Sequence, residues 1–163
     1  MFCMAMKSGV ISSGGKSGFQ EFRFEFRNPS SIYVSCRELY LFDENNNIVP
    51  LNMTSNSTPY PLLASASSTW SSSHPVFEMF NNDHLSILDY WHSKSQSTYE
   101  WVQLKLASKI NLTKIRYYIR STSQIPSLID IKARNDSDSF QILKQTNDSD
   151  KVWNRSTYFD LLL

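Results

Sequence analysis

Residues 19–28 read FQEFRFEFRN, and the alternation is strict: Phe22, Phe24 and Phe26 fall on one parity, Arg23, Glu25 and Arg27 on the other. A period of two places successive side chains on opposite faces of an extended strand, whereas a helix at 3.6 residues per turn would scatter them. Any fold for this chain must give the three phenylalanines a shared core and leave the three charged side chains on an outer face. This predicts a strand buried on one side only, the condition met in antiparallel sheets.

The same signal recurs along the chain. CRELYLFDENNNIVPLN predicts a second strand, a turn over residues 43–47 and a short return strand over 48–51. Residues 54–75, dominated by Ser, Thr, Asn and Pro, predict long loops with one short strand near 62–66. Strand-like runs resume in WVQLKL, INLTKIRYYIR, SLIDIKAR, FQILKQT and STYFDLLL, and only HPVFEMFNND could hold a helical turn. Short strands separated by polar turns predict an all-β antiparallel sandwich, with the FRFEF strand expected beside the chain's end. An aromatic content of 13% supports strand over helix. At 163 residues the chain suits a single core, read here as one domain over 19–163. Residues 1–18, rich in Gly, Ser and Lys, read as a flexible or partner-docking arm.

Several functional classes are disfavoured. A formal net charge of +1 exerts no overall pull toward nucleic acid, and no stretch is apolar and long enough to insert across a bilayer. Cys3 and Cys36 are not at zinc spacing, and whether they bridge is left open. The start of the chain lacks a basic leader, so the Asn-x-Ser/Thr sequons at Asn52, Asn56, Asn111, Asn135, Asn147 and Asn154 are read as chance products of an Asn- and Ser-rich composition. Three histidines, His74, His84 and His92, stand among many serines without a GxSxG elbow, and SGGKSG at 13–18 fails the spacing of a phosphate loop, so no enzyme is expected.

One longer segment carries a more specific signal. FNND at 80–83, YWHS at 90–93, EWVQLKL at 100–106 and the strand ending at Arg120 follow one another in an order that resembles the discoidin family, also called coagulation factor V/VIII C-type or galactose-binding-like domains. FRFEFRNPSSIYVSCRELYLFDENNN resembles the opening of a permuted variant found in bacteriophage tail and other virion proteins. The resemblance implies a galactose-binding-like β-sandwich jelly roll, and it implies that Trp91 and Trp101 are core residues holding the loop between them. Departures are present: Asn81 stands for the family's Asp and Asn82 for its Gly. RSTSQIP lacks the Arg-Gly-Asp-Cys-Cys motif of the fucose-binding branch.

The family's turn often wraps a structural calcium ion. The matching candidates are Glu38, Asn81, Asp83 and Ser86, and the alternative is a turn pinned by hydrogen bonds alone. Candidates for glycan binding at the loop end are Trp70, His74, His92, Lys94, Tyr99, Arg120 and Gln124, because sugars take an aromatic face against their C–H surface and planar polar groups against their hydroxyls. The expected function is that of a non-enzymatic protein on a virion's exterior surface or tail, binding host cell-surface glycans. The alternative is a decoration or assembly protein using the fold to dock other virion proteins as part of an oligomer or larger assembly. A secreted, extracellular lectin is the third reading.

Overall fold

The computed structural model describes residues 18–154 and 157–163. Among these, ten strands form two five-stranded antiparallel sheets. The first sheet has the order β3-β5-β1-β7-β8, built from Leu63–Ala66, Ser97–Ile110, Phe19–Ile32, Leu128–Arg134 and Gln141–Gln145. The second has the order β4-β2-β6-β10-β9, built from Trp91–His92, Ser35–Phe42, Lys114–Ile119, Tyr158–Leu162 and Val152–Asn154.

The phenylalanine parity does what its spacing demands. Phe22, Phe24 and Phe26 are fully buried on the inner face of central strand β1, beside Val102 and Leu104 of β5 and Ile129 and Ile131 of β7. Leu39, Leu41, Tyr117 and Phe159 of the facing sheet close the core, with the Tyr117 and Phe159 rings stacked at 5.0 Å. The outer face of β1 is a lattice of charges. Glu25 pairs with Lys132 at 2.8 Å, Glu21 with Arg134 at 2.7 Å, and Arg27 with Asp130. Long cationic side chains from neighbouring strands lie over these carboxylates and shield them from water.

Four expectations need correction. Trp91 is fully buried, 5.8 Å from the Phe26 ring, but Trp101 is half-buried on the outer face with the Arg23 guanidinium 4.6 Å above it. It shares parity with Gln103 and Lys105, opposite to the core-facing Val102, Leu104 and Leu106, so the alternation of β5 itself turns it outward. The return strand over 48–51 shrinks to an isolated bridge between Phe42 and Ile48. β1 does not lie beside the chain's end: its partners are β5 and β7, while β10 pairs with β6 and β9 in the opposite sheet. The short β9 gave no periodic signal because three residues cannot show one. The helical turn appears as a 3-10 helix, Val76–Phe80, but it does not stand alone as expected: 3-10 turns also form at Thr122–Gln124 and Asp148–Asp150. The arm at 1–18, apart from Gly18, lies outside the described residues, as do Cys3 and nearly all of SGGKSG; Cys36 is a buried thiol with its Sγ 3.2 Å from the Glu38 carbonyl.

Strand pairing decides which loops meet. Ile32 at the end of β1 pairs with Ser97 at the start of β5, Ser35 at the start of β2 pairs with His92, and Cys36 pairs with Ile119 at the end of β6. The β1–β2 turn, β4 and the segment after β6 therefore gather at one end of the sandwich.

Candidate functional site

At that end Tyr33, Trp70, His74, Tyr90, His92 and Gln124 line a cleft of about 290 Å³. Three rings form its wall: Tyr33 lies 5.5 Å from Trp70 and 5.0 Å from His92, and Trp70 lies 5.3 Å from His92. The backbone holds this wall in place, since the Trp70 N–H donates to the His92 carbonyl at 2.8 Å. Trp70 nevertheless remains 51% exposed, which leaves an indole surface open to a ligand.

The polar groups are ordered by one another. His92 Nδ1 lies 2.6 Å from the Ser93 carbonyl, which can only accept, so Nδ1 carries the proton. In the neutral ring Nε2 is then an acceptor, and the Gln124 amide donates to it at 3.3 Å. Gln124 Oε1 in turn accepts from Ser35 Oγ at 2.6 Å. On the other wall His74 stacks on Tyr90 at 4.2 Å, and the Arg120 guanidinium lies 4.7 Å over the same ring. Burial, and behind it the proximity of His92 and Arg120, pushes His74 below its ordinary value, so its imidazole is neutral at pH 7.

The structure thus brings together Trp70, His74, His92 and Gln124, with Arg120 at the edge. It separates the other two glycan candidates from them. Tyr99 stands on the outer face of the first sheet, paired with Arg27 across β1, because its parity on β5 is that of Trp101. Lys94 is exposed in the loop after β4 and is not part of the lining, although its N–H donates to Ser68 Oγ at 3.0 Å. Tyr33 and Tyr90 were missed. Each is an aromatic set in a short polar turn beside a strand, a signal too common to single them out.

A larger cavity of about 590 Å³ opens at the opposite end, lined by Phe19, Leu112, Leu143 and Leu163 with Glu44, Asn111 and Thr113. It is mainly apolar and lacks the paired aromatic platform and ordered amide that sugar hydroxyls require.

The four metal candidates meet in one place. A register shift between Cys36 and Glu38 bulges β2, leaving Leu39 and Leu41 on the core side and turning Glu38 toward the 81–86 turn. There the Asp83 N–H donates to Glu38 Oε2 at 3.0 Å and to Asn81 Oδ1 at 2.9 Å, while Asp83 Oδ1 accepts from Ser86 N at 3.1 Å. Ser86 Oγ accepts from Asp89 N at 3.2 Å. Asn82 sits at φ 67°, where Asn is tolerated in place of Gly. One oxygen each of Glu38, Asn81, Asp83 and Ser86 thus accepts from an amide of the turn, and no group of three or more His, Cys, Asp or Glu side chains gathers among the described residues. As formed, this set does not make the cage of six or more oxygens that calcium takes. The expected result is a melting temperature at pH 7 that is the same in millimolar calcium and in EDTA; a rise with calcium would place an ion in this turn.

Comparison with known proteins agrees with the topology. The sequence profile of the F5/8 type C domain matches residues 64–160, from the first residues of β3 into β10. No curated protein and no solved structure matches the chain.

Proposed function

The chain belongs to the F5/8 type C (discoidin) family, whose domains are carbohydrate- or protein-binding modules and in general non-catalytic, and from that premise we propose that it is a non-enzymatic carbohydrate-binding protein using the Trp70–His92–Gln124 cleft. The observation that carries this reading is the exposed indole of Trp70, braced by Tyr33 and His92 beside an ordered amide. A sugar ring places its C–H face on such an indole and its hydroxyls on Gln124 and His92. The domain then acts in attachment to host cell-surface glycans from the exterior or tail of a virion. Support for that setting comes from the opening segment FRFEFRNPSSIYVSCRELYLFDENNN, which resembles the opening of the permuted variant and forms β1 and β2 ahead of the matched segment.

A glycan array with the purified protein tests the proposal. Trp70→Ala is expected to weaken binding roughly 10-fold or more. It should leave the melting temperature nearly unchanged, since substitutions at exposed sites shift stability by only about 0.5 kcal/mol. Tyr99→Ala, on the far face, should bind like the parent. If Trp70→Ala binds every glycan as tightly as the parent does, the cleft is not the site.

A second reading is favoured by one feature outside the cleft. Leu85, Ile87 and Leu88 are 79%, 68% and 73% exposed within a single short loop, an apolar surface suited to docking another protein of an assembly. A silent glycan array together with a stable complex with a virion protein would select this alternative.

A further inference from the structure

The charges around the cleft are unbalanced. None of its lining residues, Tyr33, Trp70, His74, Tyr90, His92 and Gln124, is a carboxylate. Arg120 is exposed with its guanidinium carbon 4.7 Å over the Tyr90 ring, and among the described residues it has no carboxylate within ion-pairing distance. Arg27, Arg116 and Arg134 are each paired with an acid, whereas Arg120, like Arg23 and Arg37, has no such partner among the described residues. The Arg120 charge, after burial and the nearby His92, adds to the lowering of His74 on the cleft wall. Glu78 Oε2 accepts the Tyr90 N–H at 3.0 Å; burial, with the nearby Asp89 charge behind it, raises its carboxyl to about 7, so near neutrality much of it is protonated.

We infer that the cleft selects a carboxylated sugar, a hexuronate or a sialic acid residue, with its ring on the Trp70 indole and its carboxylate on Arg120. The inference rests on the carbohydrate reading above and specifies the ligand for the same site. A guanidinium stacked on a ring keeps its N–H donors in the plane, free at the edge, and that fork matches a carboxylate with two parallel hydrogen bonds. A neutral sugar offers no such partner and leaves the cation to water. A cleft of about 290 Å³ suits a single sugar residue.

The test uses two matched pairs in NMR titrations of the whole chain: methyl glucuronide against methyl glucoside, and sialyllactose against lactose. The acidic member of at least one pair should bind roughly 10- to 100-fold more tightly. That preference should shrink as salt is raised and collapse toward unity in Arg120→Met, whose melting temperature should stay near the parent's. The two pairs separate uronate from sialic acid. Equal binding of acidic and neutral members overturns the inference and leaves the carbohydrate reading standing, as does an acid preference that survives in Arg120→Met. Absence of binding to every member of both pairs, alongside a silent glycan array, removes the carbohydrate reading and the inference with it.

Discussion

Trp91→Ala is expected to cost roughly 3 to 5 kcal/mol, a large share of the roughly 5 to 15 kcal/mol that holds a domain together. Trp91 is 0% exposed, packs against Phe26 at 5.8 Å, and donates its indole N–H to the Ser68 carbonyl at 3.1 Å. Truncation opens a cavity between the sheets and leaves that carbonyl without its partner. It also frees the chain between β3 and β4, which carries Trp70 and His74. Trp101→Ala should differ sharply. Its ring lies under Arg23 on the outer face, so its loss removes a cation–π contact and partial cover, about 1 kcal/mol. Urea denaturation of both variants decides the matter. Equal losses would mean that the two tryptophans play the same part, contrary to their parity.

The second large effect is a loss of stability as pH rises. Glu38 is 1% exposed, and burial pushes its carboxyl up to about 8 from an ordinary 4.5; the neighbouring Asp83 charge adds to this, while backbone N–H groups oppose it. In the unfolded chain the group ionises near 4.5, whereas in the folded chain it keeps its proton until about 8. The folded state binds more protons over that window, so the stabilisation is complete below about 4.5, declines steadily above it and is gone past about 8. At about 1.4 kcal/mol for each pH unit the change is roughly 3 to 5 kcal/mol. Glu78, raised to about 7, acts in the same direction and is the control. Glu38→Gln keeps an acceptor for the Asp83 N–H without a titrating group. Its unfolding free energy should fall much less between pH 5 and pH 8 than the parent's, also in a Glu78→Gln background. Parallel pH profiles would show that Glu38 ionises normally.

Much of the fold was legible because strands write their burial into a period of two. FRFEFR, WVQLKL and LIDIKAR each declare a face, and each became a strand of the first sheet with the expected residues inside. Misplacing Trp101 was not a failure of that signal: the parity of β5 already set it with Gln103 and Lys105, and only the family expectation moved it inward.

The site was legible in part. Trp70, His74, His92 and Gln124 could be named because aromatic and planar polar residues in loops are the side chains that hold sugars. Tyr99 could not be excluded, nor Tyr33 found, without knowing which strand ends meet. That depends on pairings such as Ser35 with His92 and Cys36 with Ile119, between residues far apart in the chain.

The sequence by itself therefore determined that this chain is an all-β protein, which side chains enter its core, and which family it resembles, since these follow from local alternation and the order of short motifs. Only the tertiary structure decided that Arg120 stands beside the cleft with no acidic partner among the described residues, that Tyr99 lies on another face, and that the bulge in β2 turns Glu38 into the 81–86 turn. Strand order and register are set by packing across the whole sandwich, and a period of two is the same whichever strand lies alongside.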